Sequence, residues 1–171
     1  MNYLPGANST LVTNTNLTDP TLTISSIGLE SWPLLTSYPH PPEFIDWMRE
    51  VFANPDPFIT SSIEEAKQFN YNGYNLDWEP TDDVTDEDGV EYAAFVTYFA
   101  DKLHDYGLKL TVDIATWSPI WNYPLLAQTS ADRFISMGTY TSTDSSFTNQ
   151  LDKLVDTFGP EKSGVGLEMV K

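Results

Sequence analysis

The sequence predicts an α/β fold, a partial (β/α)8 TIM barrel spanning about strands three to seven with their intervening helices. Three observations predict it. Short β-like runs alternate along the chain with helical runs of 3.6-residue periodicity, an order that gives parallel strands joined by crossover helices. No G-x-G-x-x-G or P-loop glycine pattern opens a helix, which lowers the nucleotide-binding, doubly wound alternative. Five strands are countable in 171 residues, whereas a complete barrel takes about 250 residues.

Residues 1–20 are rich in Asn, Thr, Pro and Gly and read as a flexible polar leader, with residues 21–171 as the barrel domain. Leu22 to Gly28 is a short β-like run, and Ser31 to Pro42, which holds four prolines, reads as a loop. Glu43 to Ala53 is helical, with Phe44, Trp47, Met48 and Val51 on one stripe. Asn54-Pro55-Asp56-Pro57 breaks that helix, and Ser61 to Phe69 forms a second one with Ser61 and Ser62 as N-caps. A strand at Tyr74 to Trp78 follows, then an acidic loop, Thr81 to Gly89. The helix from about Val90 to Tyr106 aligns Tyr92, Phe95, Val96, Phe99 and Leu103, and Gly107 closes it. Leu108 to Ala115 is a strand, Arg133 to Thr141 another, Phe147 to Phe158 a helix, and Gly164 to Val170 the last strand.

Composition narrows the partners. The net charge is −17, from 25 acidic and 8 basic residues, which disfavours nucleic acid and anionic membrane surfaces because both need Lys and Arg. An oligo- or polysaccharide is a compatible partner. No apolar run reaches the length of a membrane span, so no membrane insertion is expected. There are no cysteines, hence no disulfide framework and no thiolate site. Two glycosylation sequons, Asn8-Ser9-Thr10 and Asn16-Leu17-Thr18, point to a secreted, extracellular or lysosome-like location. The first residues carry no charged and apolar signal-peptide pattern.

The chemistry concentrates in Asn70 to Pro80, which reads Asn-Tyr-Asn-Gly-Tyr-Asn-Leu-Asp-Trp-Glu-Pro. As a strand it sorts by parity, with Tyr74, Leu76 and Trp78 on one face and Asn75, Asp77 and Glu79 on the other. Trp78 then belongs to the core. Three polar side chains in a column are costly to bury unless they are hydrogen-bonded and used. A Glu with an Asp two residues before it is what acid catalysis needs, one carboxyl kept protonated and one ionised. The plain alternative is a half-exposed strand with a solvated acidic edge.

Asn72-Gly73-Tyr74-Asn75-Leu76-Asp77-Trp78-Glu79 resembles the D-G-x-D-x-D-x-E signature of family 18 glycoside hydrolases, the chitinase-like barrels. It matches at Gly73, Asp77 and Glu79, and carries Asn at positions 72 and 75 where the family has Asp. Ser25-Ser26-Ile27-Gly28 resembles the S-x-G strand one unit earlier, and Met137 through Tyr140 the M-x-Y strand two units later, here spaced M-x-x-Y. The resemblance implies that Glu79 is the general acid and that Asp77 supports the substrate's own acetamido group as nucleophile, a substrate-assisted route. It implies that Tyr140 donates to the acetamido oxygen, and that Asn75 hydrogen-bonds Asp77 without accepting its proton. The like-charge effect on Asp77 is then weaker, lowering activity or shifting its pH profile. It also implies that the missing barrel strands come from a longer parent chain or from self-association. It implies no metal and no cofactor.

Asp113 is a site residue if its strand face lines the barrel and a surface Asp if it does not. Trp117, Trp121, Tyr123 and Trp32 fall in loops after strands, where barrels build active sites, and Met137 sits on the sixth-strand motif. Trp117, Trp121, Met137 and Asp113 are the candidate substrate-binding residues; loop aromatics pinned into the core are the competing reading. His40 and His104 are isolated and receive no role. The acidic run at 82–88 lacks EF-hand spacing and reads as a solvated loop. Two other functions compete: a two-Glu retaining glycosidase using Glu79 and Glu168, and a chitinase-like lectin or inactive fragment that binds oligosaccharide without cleaving it.

Overall fold

Alternating apolar residues put Tyr74, Leu76 and Trp78 on one side of a strand, and the computed structural model buries all three completely. The structure describes residues 2–13, 24, 26–81, 83–141 and 143–166. Its strands are β1 (Asn2–Gly6), β2 (Thr10–Thr13), β3 (Leu34–Thr36), β4 (Gly73–Asp77), β5 (Lys109–Ile114), β6 (Arg133–Ser136) and β7 (Ser163–Val165). Its helices are α1 (Phe44–Ala53), α2 (Asp56–Phe69), α3 (Asp86–His104), the single turn α4 (Tyr123–Leu126) and α5 (Asp144–Phe158). The sheet order is β2-β1-β3-β4-β5-β6-β7. β1 and β3 to β7 run parallel, and β2 is antiparallel to β1 at the edge. This is the α/β, partial-barrel architecture expected.

The core lies between the sheet and its helices. Leu35, Leu110, Val112, Ile114 and Phe134 join the β4 trio against Met48, Val51, Phe58, Phe95, Phe99 and Leu103, all buried. Trp78 is its hub. Its ring stacks on Phe95 at 5.2 Å with 6° between planes and meets Phe58 and Phe44 edge-on at 5.6 and 5.9 Å. Gly73 starts β4 because a Cβ there would run into the Lys109 carbonyl of β5 and the Trp32 ring. Gly107 closes the turn after α3 with a φ of 71°, a conformation that glycine adopts without steric cost.

Several expectations need correcting. The polar N-terminal segment is not loop throughout: residues 2–13 form β1, a tight turn and β2, with Asn8 and Ser9 at positive φ. The Asn8 N–H donates to Glu50 Oε2 at 2.7 Å and Ser9 Oγ to the Glu50 carbonyl at 3.0 Å, docking the turn on α1. Residues 14–20 lie outside the described residues. The strand that pairs with β4 on this side is Leu34–Thr36; of the expected Leu22–Gly28 strand, Ile24 and Ser26 are helical, Ile27 and Gly28 form a turn, and residues 22, 23 and 25 lie outside the described residues. Prolines on both sides of a three-residue strand disguise it as loop. Ser61 and Ser62 lie inside α2, which begins five residues before Ser61, and Ser62 Oγ bonds the Phe58 carbonyl one turn back. The Arg133–Thr141 run is strand only to Ser136; Met137–Thr139 is a 3₁₀ turn.

The acidic run is also not a solvated loop. Thr85 caps α3 in a reciprocal capping box with Asp88, and Asp86, Glu87 and Asp88 fill the first turn, where the helix dipole favours negative charge. Asp88 is buried and grips Arg49 through two hydrogen bonds of 2.7 and 2.8 Å. The Arg49 hydrogen bond holds the Asp88 carboxyl well below the usual range, with Thr85 adding to it against burial. Its contribution is therefore present above about pH 4 and lost as pH falls below that, toward the folded-state value. Arg49→Ala should cost about 2 kcal/mol at neutral pH, and urea unfolding should show that difference shrinking in acid.

Candidate active site

The face of β4 away from the helices carries Asn75 and Asp77, with Glu79 just beyond the strand end; all three are half-buried. Register places Thr36 of β3 opposite Asp77 and Thr111 of β5 opposite Asn75. Asp113, two residues along β5 from Thr111, lies on that same face of the sheet, where its Oδ1 accepts from Asn75. Ile135 of β6 lies opposite it. Glu79 sits at the C-terminal end of the parallel strands, the end on which βα loops gather.

Three residues that the sequence left without a role hold this column in place. Thr36 Oγ1 donates to Asp77 Oδ2 at 3.3 Å. The backbone N–H of Ser37 donates to the Asp77 carbonyl, and the N–H of Glu79 donates back to Ser37 Oγ, both at 3.0 Å. Ser37 Oγ lies 3.3 Å from His40 Nδ1. Recognising Leu34-Leu35-Thr36 as a strand is the signal that would have revealed them. Asn75 departs from the expectation: its Nδ2 donates to Thr111 Oγ1 at 2.9 Å and to Asp113 Oδ1 at 3.0 Å, both on β5.

The electrostatics follow from burial and like charge. Burial raises the Asp77 carboxyl above its ordinary range, opposed by hydrogen bonds from Thr36 and Glu79 and by the His40 charge. Glu79 is raised by burial and then by the Asp77 charge, opposed by His40. Asp113 is pushed up to about 7, chiefly by burial, with the charges of Asp77 and Glu79 adding to it and the Asn75 hydrogen bond opposing. Carboxyls crowded in this way favour keeping a proton, which a general acid requires.

Glu79 opens onto a cleft of about 470 Å³ lined also by His40, Thr81, Asp83, Trp117 and Pro119. Trp117 is 61% exposed, and its ring stands edge-on against Trp121 at 5.4 Å.

Neither a protein-family sequence model nor a curated protein sequence matches the chain. Solved structures do. A chitinase from Chromobacterium violaceum superposes with a TM-score of 0.82 at 16% identity, over 96% of this chain and 58% of its own. The fold is that of the chitinase barrel. The spore cortex-lytic enzyme SleL of Bacillus megaterium matches with a TM-score of 0.82 at 16% identity, over 97% of this chain and 42% of its own. Catalytic domain 2 of a group II chitinase from Ostrinia furnacalis matches at 0.77 and 15%, over 96% and 54%. The chain thus spans about half the length of these barrels.

On the chitinase fold the remaining candidates separate. Trp117 presents a free face to the cleft, whereas Trp121 is 4% exposed and buttresses it, as core packing requires. Met137 and Tyr123 are buried. Trp32 lies two residues before β3; it packs over Gly73, and its Nε1 donates to Glu30 at 3.0 Å. Tyr140 follows β6 at the same sheet end as Glu79, half-exposed, with its ring on Gly166 beside β7. Glu168 lies outside the described residues. Among the described residues no helix is long and apolar enough to cross a membrane.

Proposed function

We propose that the protein is a glycoside hydrolase that cleaves β-linked N-acetylglucosamine-containing glycans by substrate-assisted, retaining hydrolysis. The observation that carries this reading is the placement of Asp77 and Glu79 on one face, with Glu79 raised by burial and by Asp77 and opening onto a cleft walled by Trp117. Protonated Glu79 gives its proton to the glycosidic oxygen as the bond to C1 breaks. The substrate's acetamido oxygen closes on C1, and the Asp77 carboxylate accepts the acetamido N–H and stabilises the positive charge that develops. Glu79, now a carboxylate, takes a proton from the water that reopens the ring, so configuration at C1 is retained. Tyr140 donates to the acetamido oxygen, and Trp117 stacks on a sugar face through its π surface. An extracellular polysaccharide is the matching partner, consistent with an exposed sequon at Asn8 and with the names of the chitinase and cortex-lytic neighbours.

Mutation of the acids tests the mechanism. Asp77→Ala should lower turnover of a fluorogenic N-acetylglucosamine oligomer by about 10²-fold or more, while Glu168→Ala leaves most of it. A lethal Glu168→Ala with a tolerant Asp77→Ala supports the two-Glu mechanism instead. Retention on chitin beads with no turnover supports a lectin.

A further inference from the structure

His40 stands at the cleft, and the mechanism gives its imidazole nothing to do. The chain nevertheless holds it at a φ of 60°, in the left-handed region that a residue with a Cβ seldom enters. Backbone kept there against its preference concentrates at ligand sites. The His40 N–H donates to the Ser37 carbonyl at 2.7 Å, the Tyr38 ring stands edge-on to the imidazole at 5.8 Å, and Nδ1 lies 3.3 Å from Ser37 Oγ.

The hydrogens on Ser37 decide the form of the ring. Ser37 is fully buried, and its Oγ accepts the Glu79 N–H. The hydroxyl's own hydrogen needs an acceptor, and His40 Nδ1 stands beside it. A hydrogen on Nδ1 would leave the buried Ser37 hydrogen unpaired, which is costly. Nδ1 is therefore bare and Nε2 carries the hydrogen, because the bond made by one ring nitrogen sets the state of the other. The side chain is exposed and lines the cleft that Glu79 and Trp117 share. It also shares a smaller pocket with Glu79, Pro42 and Ile45, so imidazole and acid are neighbours on both sides.

We propose that His40 is a substrate-binding residue that donates its Nε2–H to an oxygen of the sugar lying next to Glu79. The ligand it suits is an uncharged glycan, whose hydroxyl and carbonyl oxygens accept from a neutral N–H. Trp117 takes the apolar face of a sugar ring and His40 takes a polar edge. One buried hydroxyl, that of Ser37, holds both the imidazole and the Glu79 backbone, which keeps the donor and the acid at a fixed spacing.

The identity of the glycan rests on the proposed hydrolase reading, and the experiment separates the two. In kinetics on the fluorogenic N-acetylglucosamine oligomer, His40→Ala should raise KM about tenfold with kcat little changed. Two conservative variants tell contact from bracing. His40→Gln can place an N–H near the position of Nε2 and should recover most of the lost KM. His40→Asn can keep an acceptor facing Ser37 but has no outward N–H, and should behave like His40→Ala. The reverse order, with Asn close to the parent and Gln as poor as Ala, overturns the proposal, as does a parental KM in His40→Ala. Long-range ¹H–¹⁵N NMR of the intact imidazole, in the Glu79→Gln protein, supplies a readout that no change of fold can imitate. The hydrogen should be on Nε2, and the Nε2 signal should move when the oligomer saturates the cleft. A bare Nε2, or a signal unmoved by bound oligomer, overturns the proposal even in a protein that turns the oligomer over. A moved signal with bound oligomer that the parent protein never cleaves sinks the hydrolase reading and keeps the His40 contact.

Discussion

Glu79→Gln should reduce turnover of a fluorogenic N-acetylglucosamine oligomer by about 10²–10⁴-fold, while oligomer binding changes only a few-fold. Glutamine keeps the shape and the hydrogen-bonding reach of the side chain but has no proton to give. The backbone N–H of residue 79 still donates to Ser37, so the loop geometry survives. The pH dependence follows from the same cause. Burial and the Asp77 charge raise the Glu79 carboxyl, so the acid form persists to higher pH than for a free Glu, and the rate falls as pH rises through that value. The variant's residual rate should lack that basic limb. Unaltered turnover in Glu79→Gln would mean that another group is the acid.

Trp78→Ala should cost about 3–5 kcal/mol, the range for removing a buried aromatic. Trp78 is fully buried and touches Phe44, Phe58, Tyr92 and Phe95, so no single neighbour can move to fill the space. Against a total stability of about 5–15 kcal/mol, that is enough to lower Tm by about 10 °C or more. Trp78→Phe should cost much less. It keeps most of the ring, and the lost indole N–H is buried with no partner among the described residues. Thermal and urea unfolding of the two variants measure the difference. Because Trp78 separates Asp77 from Glu79, its loss should also lower kcat in the fraction that stays folded.

The β4 column was legible because strand parity, the acidic pair and the tryptophan all fall within a few residues of sequence. Trp78 on the core side and Asn75, Asp77 and Glu79 on the other follow from alternation alone. The partial barrel was legible for a related reason: α1, α3 and β5 carry long, clean periodicity. What surrounds the column was hidden by chain separation. Thr36 and Ser37 lie 41 and 42 residues from the positions they bond, on a strand of three residues bounded by proline. Asn75 could be weighed only as a departure from a motif, because its partner Asp113 lies 38 residues away on the next strand. Trp117 and Trp121 looked equivalent in a loop, and only packing tells the exposed ring from the one that supports it. The capping box at Thr85 was readable in principle; the density of acids around it made a buried, paired Asp88 look like one more solvated charge.

The most direct test compares two fluorogenic substrates that differ only at C2, a β-linked N-acetylglucosamine dimer and the corresponding glucose dimer. If the acetamido group is the nucleophile held by Asp77, the protein turns over the first and leaves the second essentially untouched. Comparable rates on both, or preference for the glucose dimer, would contradict the substrate-assisted mechanism.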